Sequence, residues 1–160
     1  MVGIGRSLVC FCLIMGLWCS GAGQAIASSH TYPEGGERVM LRSLQTLRDR
    51  RDQTWQLVLF KRLNAGRTES IHLRVVGFPG GAEFQHPKPL RLAARDRSWT
   101  LKDVLSDDSA FPANVGEYDV WEPITQLRSN APLQLVLPVS PVAAELVVPP
   151  FVVKEWRQLV

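Results

Sequence analysis

The chain has 160 residues, of which 46% are hydrophobic and 21% are charged, and its formal net charge is +3. This length favours one domain, and the composition is too apolar for a disordered chain. The charge excess argues against a dedicated nucleic-acid binder, because such proteins usually carry a larger and more clustered surplus of Lys and Arg. No cysteine follows Cys19, which excludes disulfides, thiolate catalysis and zinc-thiolate sites from the rest of the chain.

The first 27 residues are predicted to be a secretory signal peptide. One basic residue, Arg6, precedes the apolar run 8–18, and small and polar residues then lead to Ala25 and Ala27. This is the order of the n-region, the h-region and an A-x-A cleavage site. We therefore predict cleavage after Ala27 and export, with no stable membrane span after cleavage. An uncleaved anchor is the alternative, although the run is shorter than the roughly 20 residues of a spanning helix.

The chain after the signal peptide is predicted to open with antiparallel strands. Residues 28–37 have the composition of a flexible lead-in, and residues 38–160 are predicted to form a single β-rich domain. Residues 38–48 fit a helix face and a strand face about equally. The runs 54–63 and 68–78 are strand-like and flank a short loop with Asn and Gly, which predicts a β-hairpin. This hairpin favours 38–48 as the first strand of a meander.

The middle of the chain is predicted to consist of turns and short elements. Residues 78–81 predict a turn, with proline at its second position and glycine at its third. Residues 90–95 are predicted to form a short strand, and residues 99–105 one helical turn.

The last third is predicted to contain one helix and two strand-like runs. Residues 119–122 have the form of a capping box before a short amphipathic helix. Residues 133–137 are predicted to be a strand, and 145–156 are strand-like with a break at the two prolines 149–150. The fold class predicted is mainly β, with α+β as the alternative. It is a single antiparallel domain, built as a sandwich or a meander sheet, with one or two short helices.

Charge is the most uneven property of the sequence. Residues 28–102 contain 14 basic and 7 acidic residues, whereas residues 103–122 contain six acidic residues and no basic one. A bipolar surface can orient a partner during encounter, although a solvated loop and a helix start are the simpler explanation of the acids. The predicted interaction surface combines these acids with two tryptophans: Asp107, Asp108, Glu117, Asp119, Glu122, Trp121 and Trp156. Trp156 is included because it lies near the C-terminus, where side chains are often exposed.

The sequence predicts no catalytic residue, no cofactor and no metal site. It lacks the G-x-S-x-G motif of serine hydrolases and the glycine-rich loops that bind phosphates. His30, His72 and His86 are too far apart in sequence for the usual zinc spacings. Calcium loops are also missing from the acidic stretch.

Four segments resemble a family of short exported cyanobacterial proteins of unknown function. They are SLQTLRDRRDQTWQLVLFKR (43–62), LRVVGFPG (73–80), HPKPL (86–90) and VPPFVVKEW (148–156). The resemblance covers most of the domain, but the family has no assigned activity, so no functional residue is carried over. It implies a location in the periplasm or in the thylakoid lumen, two compartments that accept similar signal peptides.

Two functional hypotheses follow. The first is a non-enzymatic, soluble accessory module that binds another protein at the periplasmic or lumenal face of a membrane complex. The alternative is a small enzyme or carbohydrate-binding domain that uses Trp99 or Trp121 with the carboxylates of residues 107–122. That alternative requires these groups to converge in one cleft.

Overall fold

The structure is a computed structural model that describes residues 30–35, 37–105 and 110–160. Within these ranges the fold is mainly antiparallel β, with three sheets and two short helices, which confirms the predicted fold class. In chain order the elements are β1 (His30–Gly35), β2 (Arg38–Arg48), β3 (Thr54–Asn64), β4 (Arg67–Val76), β5 (Glu83–Phe84), β6 (Leu90–Ala93), β7 (Ser98–Leu101), β8 (Val115–Asp119), α1 (Trp121–Gln126), β9 (Leu133–Leu137), β10 (Val139–Ser140), β11 (Ala144–Val148) and α2 (Pro150–Leu159).

The largest sheet has the strand order β1-β2-β3-β4-β8, so its first four strands form a meander. Residues 38–48 are therefore a strand, and the hairpin predicted for 54–63 and 68–78 is confirmed as β3 and β4. Alternation along β4 buries Ile71, Leu73 and Val75 and turns the residues between them to the outer face. The lead-in differs from the prediction, because β1 pairs with β2 and so joins the sheet.

The second sheet has the order β11-β9-β6-β7, and the pair β10-β5 forms a third sheet. The helical turn predicted at 99–105 is wrong, because Ser98–Leu101 is strand β7. Trp99 lies opposite Leu92 of β6, and Leu101 lies opposite Leu90. Pairing with β6 satisfies backbone hydrogen-bonding groups and buries Leu101. The free energy gained by this pairing outweighs the local preference of Ser98 or Thr100 for a helix N-cap.

The strand-like run predicted at 145–156 is correct only as far as Val148. Pro149 is extended, and Pro150 begins helix α2. Proline suits the first position of a helix, where its missing N–H would have no intrahelical partner and its fixed φ is already helical. Val152, Val153, Trp156 and Leu159 then form the buried face of α2, which packs against β2.

The helix predicted after 119–122 is confirmed as α1. Its capping differs from the predicted box, because Val120 is the N-cap and makes no side-chain cap. Asp119 instead accepts a hydrogen bond at Oδ1 from the Trp121 backbone N–H, at 2.9 Å. The predicted turn at 78–81 is also confirmed, since the Gly81 N–H donates to the Phe78 carbonyl and Gly80 has a φ of +76°.

One hydrophobic core joins the two larger sheets and both helices. It contains Leu57 and Leu73 from the first sheet, Leu92 and Leu135 from the second, and Trp156 from α2. Among the described residues, none of the helices is long and apolar enough to span a bilayer.

Candidate functional site

An open cleft of about 540 Å³ lies between β7 and the start of α1. One wall is the edge strand Ser98–Leu101 followed by Lys102. The other wall consists of Asp119, Trp121, Glu122 and Pro123. The cleft therefore brings together two stretches that are separated by about twenty residues of sequence.

A corner between the two larger sheets positions these walls. The Asp119 N–H donates to the Lys102 carbonyl at 3.1 Å, and the Val104 N–H donates to the Glu117 carbonyl at 2.9 Å. These bonds fasten the segment after β7 to the edge of β8. Strand β7, which precedes Lys102, belongs to the four-stranded sheet. The space between β7 and α1 is the cleft.

The side chains of the cleft offer aromatic surface and charge. Trp121 is 39% exposed, and Trp99 is partly buried against the core. Two exposed carboxylates, Asp119 and Glu122, face one exposed ammonium group, Lys102. Glu122 also accepts a hydrogen bond from Gln126 Nε2, at 3.0 Å, which holds its carboxylate along α1. Aromatic faces beside polar groups suit a ligand that is partly apolar and able to form hydrogen bonds.

The structure gathers part of the predicted interaction surface in this cleft and scatters the rest. Asp119, Trp121 and Glu122 converge there, together with Trp99 from the alternative hypothesis. Asp107 and Asp108 lie outside the described residues. Glu117 and Trp156 lie elsewhere in the fold.

Glu117 is buried on the outer face of the five-stranded sheet and is not an open surface acid. Its Oε1 lies 2.8 Å from His72 Nδ1, and its Oε2 accepts a hydrogen bond from Arg74 Nε at 2.8 Å. Burial by itself raises the pKa of Glu117, but the hydrogen bonds and positive charge of His72 and Arg74 outweigh it, and the pKa is lowered. The predicted role of Glu117 in a partner-binding surface is therefore wrong.

Trp156 is 0% exposed and belongs to the hydrophobic core. The expectation that it lies on an interaction surface is wrong, because the last residues form α2, which docks its apolar face on β2. The positions 152, 153, 156 and 159 have the spacing of one helix face, so this signal was present in the sequence.

A contact that the sequence did not predict joins the partly exposed His86 to the buried Asp103. His86 Nδ1 lies 2.5 Å from Asp103 Oδ2, and Asp103 Oδ1 accepts a hydrogen bond from the Leu105 N–H at 2.9 Å. Asp103 is opposite Tyr118 in an isolated bridge. Burial raises the pKa of the Tyr118 hydroxyl, and the charge of Asp103 raises it further. Asp103 and Glu117 are thus two acids of the 103–122 stretch that are buried and hydrogen-bonded inside the fold.

In the part of the chain that the structure describes, no group of three or more His, Cys, Asp or Glu side chains could hold a metal ion. The histidines that have carboxylate neighbours, His72 and His86, each face one carboxylate.

The family model described as "Protein of unknown function (DUF3122)" matches residues 27–159. The chain belongs to the DUF3122 family. No curated protein and no solved structure matches the chain. The membership agrees with the resemblance to a family of unknown function, whereas export and a cyanobacterial origin stay predictions. The family description names no activity.

Proposed function

We propose that this DUF3122 protein is an exported, non-enzymatic module that binds another protein at the periplasmic or lumenal face of a membrane complex. The cleft between β7 and α1 is the binding site. The observation that carries the proposal is the convergence of Trp99, Trp121, Asp119 and Glu122 in one open cleft. The predicted signal peptide supports export, and the family resemblance supports the choice of compartments.

The composition of the cleft suits a protein partner. Interface hot spots are enriched in tryptophan, and a half-exposed ring beside charged groups can bury its face without leaving a polar atom unpaired. Trp121 is 39% exposed and lines the cleft beside Asp119 and Glu122, whose carboxylates can accept hydrogen bonds from a partner.

Site-specific photo-crosslinking tests the proposal. A photoreactive amino acid at position 121 is expected to crosslink one discrete protein in cells, and the protein is expected to co-purify with membranes in mild detergent. The same label at position 78 is the control, because Phe78 is 78% exposed but lines other cavities. A partner-free, monodisperse protein in periplasmic extracts, with equal labelling from both positions, would contradict the proposal.

A second candidate, a carbohydrate-binding domain or small enzyme, uses the same cleft. Two indole rings and two carboxylates in one open site also suit a sugar, which stacks on aromatic faces and donates hydroxyl hydrogen bonds. Calorimetric titration with soluble oligosaccharides separates the candidates. Saturable binding that Trp121→Ala abolishes would favour the sugar, whereas no heat with any oligosaccharide leaves the protein partner favoured.

A further inference from the structure

Strand β7 is a free edge of the four-stranded sheet. It pairs with β6 on one side, and within the described residues no strand pairs with its other side. An unpaired edge presents a row of backbone N–H and C=O groups that can hydrogen-bond an added strand. In this protein the row lines the cleft, because all four residues of β7 belong to its wall.

The register of the β6–β7 hairpin shows which backbone groups face outward. The Ala94 N–H donates to the Arg97 carbonyl at 2.8 Å, so this pair closes the hairpin as a hydrogen-bonded pair. Hydrogen-bonded and non-hydrogen-bonded pairs alternate along an antiparallel ladder. Ser98 and Thr100 therefore belong to non-hydrogen-bonded pairs, and their N–H and C=O groups point away from β6.

An independent contact supports this assignment. Lys102 is two residues beyond Thr100, so its carbonyl is expected to point to the same outer side. That carbonyl accepts the hydrogen bond from the Asp119 N–H at the corner of the cleft. The outward backbone groups of Ser98 and Thr100 are thus in line with the Lys102 carbonyl, which already bonds β8 at Asp119.

We propose that the cleft binds an extended segment of a partner protein, which adds to the four-stranded sheet as a new strand beside β7. This inference rests on the proposed function and specifies how the partner is recognised. Backbone bonds to Ser98 and Thr100 hold the segment, and side chains supply the selectivity. β7 has four residues and accommodates a segment of similar length, at about 3.3 Å per residue.

The side chains around the edge define the chemistry of the segment. Successive residues of an added strand point to opposite faces, and every second one lies on the Trp99 side of the sheet. Trp99 and Trp121 favour apolar side chains in the segment. Two carboxylates against one ammonium group favour basic ones. The segment is therefore predicted to contain apolar and basic residues in alternation.

Two variants of one residue separate backbone recognition from side-chain recognition. Thr100→Pro removes the outward N–H, and proline is tolerated on an edge strand where the N–H faces solvent. Thr100→Ala removes the side chain and keeps the N–H, so it is the matched control. The probes are synthetic peptides of about six residues with valine alternating with lysine, with glutamate or with serine.

The valine–lysine peptide is expected to bind the wild type and the Thr100→Ala variant about equally, and the Thr100→Pro variant at least about tenfold more weakly. Amide hydrogen exchange of wild-type protein should slow at Thr100 on binding. The glutamate peptide is expected to bind at least about tenfold more weakly than the lysine peptide. Melting curves establish that each variant is folded.

Any of four results would overturn the inference. The first two are equal binding of the valine–lysine peptide to the Thr100→Pro and Thr100→Ala variants, and absence of binding by all three peptides. The others are tighter binding of the glutamate peptide than of the lysine peptide, and a dimer in sedimentation in which the Thr100 amide is protected from exchange. None of these results changes the crosslinking expected from position 121. If a crosslinked partner also binds the Thr100→Pro variant, the proposed function holds and the proposed strand addition is wrong.

Discussion

Glu117 of β8 and Arg74 of β4 lie directly opposite each other on the outer face of the five-stranded sheet, with Glu117 Oε2 2.6 Å from Arg74 Nη2. His72 bonds the other carboxylate oxygen. Arg74 in turn lies over the rings of Phe60 and Phe111, at 5.5 and 5.3 Å. The group ties the last strand of the sheet to β4, and thereby holds β8 beside the cleft.

Replacing Glu117 by glutamine is expected to lower the free energy of unfolding at neutral pH by about 1–2 kcal/mol. A hydrogen bond to a charged group is lost, but the partly exposed Arg74 side chain can regain water. Urea unfolding measures the change. Glu145→Gln is the control, because its ion pair with Arg50 is exposed on both sides, and its expected change is within about 0.5 kcal/mol.

The same pair predicts how stability depends on pH. The folded-state pKa of Glu117 lies below its ordinary value of 4.5, so ionised Glu117 stabilises the fold above that pH. The contribution is lost as the pH falls through the folded-state pKa. In Glu117→Gln, the free energy of unfolding should therefore fall less steeply on acidification below about pH 4.5 than in the wild type. If the free energies of unfolding of the variant and the wild type fell in parallel with pH, other carboxylates would dominate the acid dependence of stability.

The strands of the first sheet were predictable because their signals are local. Alternation from Ile71 to Val75, and a loop with Asn and Gly between two strand-like runs, define β3 and β4 before any tertiary contact is known. β7 was missed because Ser98 and Thr100 resemble helix caps, and only its pairing with β6 distinguishes a strand. The start of α2 was missed because Val152 and Val153 favour strands, whereas the buried helix face decides the outcome.

The cleft was only partly predictable for a different physical reason. The acids of residues 103–122 could be counted, but the count did not reveal that two of them, Asp103 and Glu117, are buried beside His86 and Arg74. The roles of Lys102 and Thr100 depend on which edge of β7 is free. That property belongs to the sheet order and has no signature in the segment itself.

Truncation of Trp156 is expected to reduce the free energy of unfolding strongly. The residue is 0% exposed in the core, so Trp156→Ala removes buried apolar surface and leaves a cavity, at a cost of about 3–5 kcal/mol. Phe151→Ala on the same helix is the matched control. Phe151 is 63% exposed, and its truncation should change stability by less than about 0.5 kcal/mol. Similar losses for both variants in urea unfolding would refute the docked position of α2.

Ser43 is a buried residue, and removal of its hydroxyl is not expected to lower the free energy of unfolding. It is 0% exposed on β2, and its Oγ has no hydrogen-bond partner among the described residues. Burial of a hydroxyl without a partner is unfavourable, so Ser43→Ala should leave the free energy of unfolding unchanged or raise it by up to about 1 kcal/mol. A decrease of more than about 1 kcal/mol would mean that the hydroxyl is bonded in solution.

Gly116 of β8 packs closely against the ring of Phe84 on β5. A Cβ atom at this position would lie 2.7 Å from Phe84 Cδ1 and 2.9 Å from Tyr118 Oη. Gly116→Ala is therefore expected to cost about 1–3 kcal/mol, because one ring has to move within a packed core. Phe84→Leu removes the ring from the clash. In a double-mutant cycle by urea unfolding, Gly116→Ala should cost less in the Phe84→Leu background than in the wild type. An equal cost in both backgrounds would assign the constraint to Tyr118.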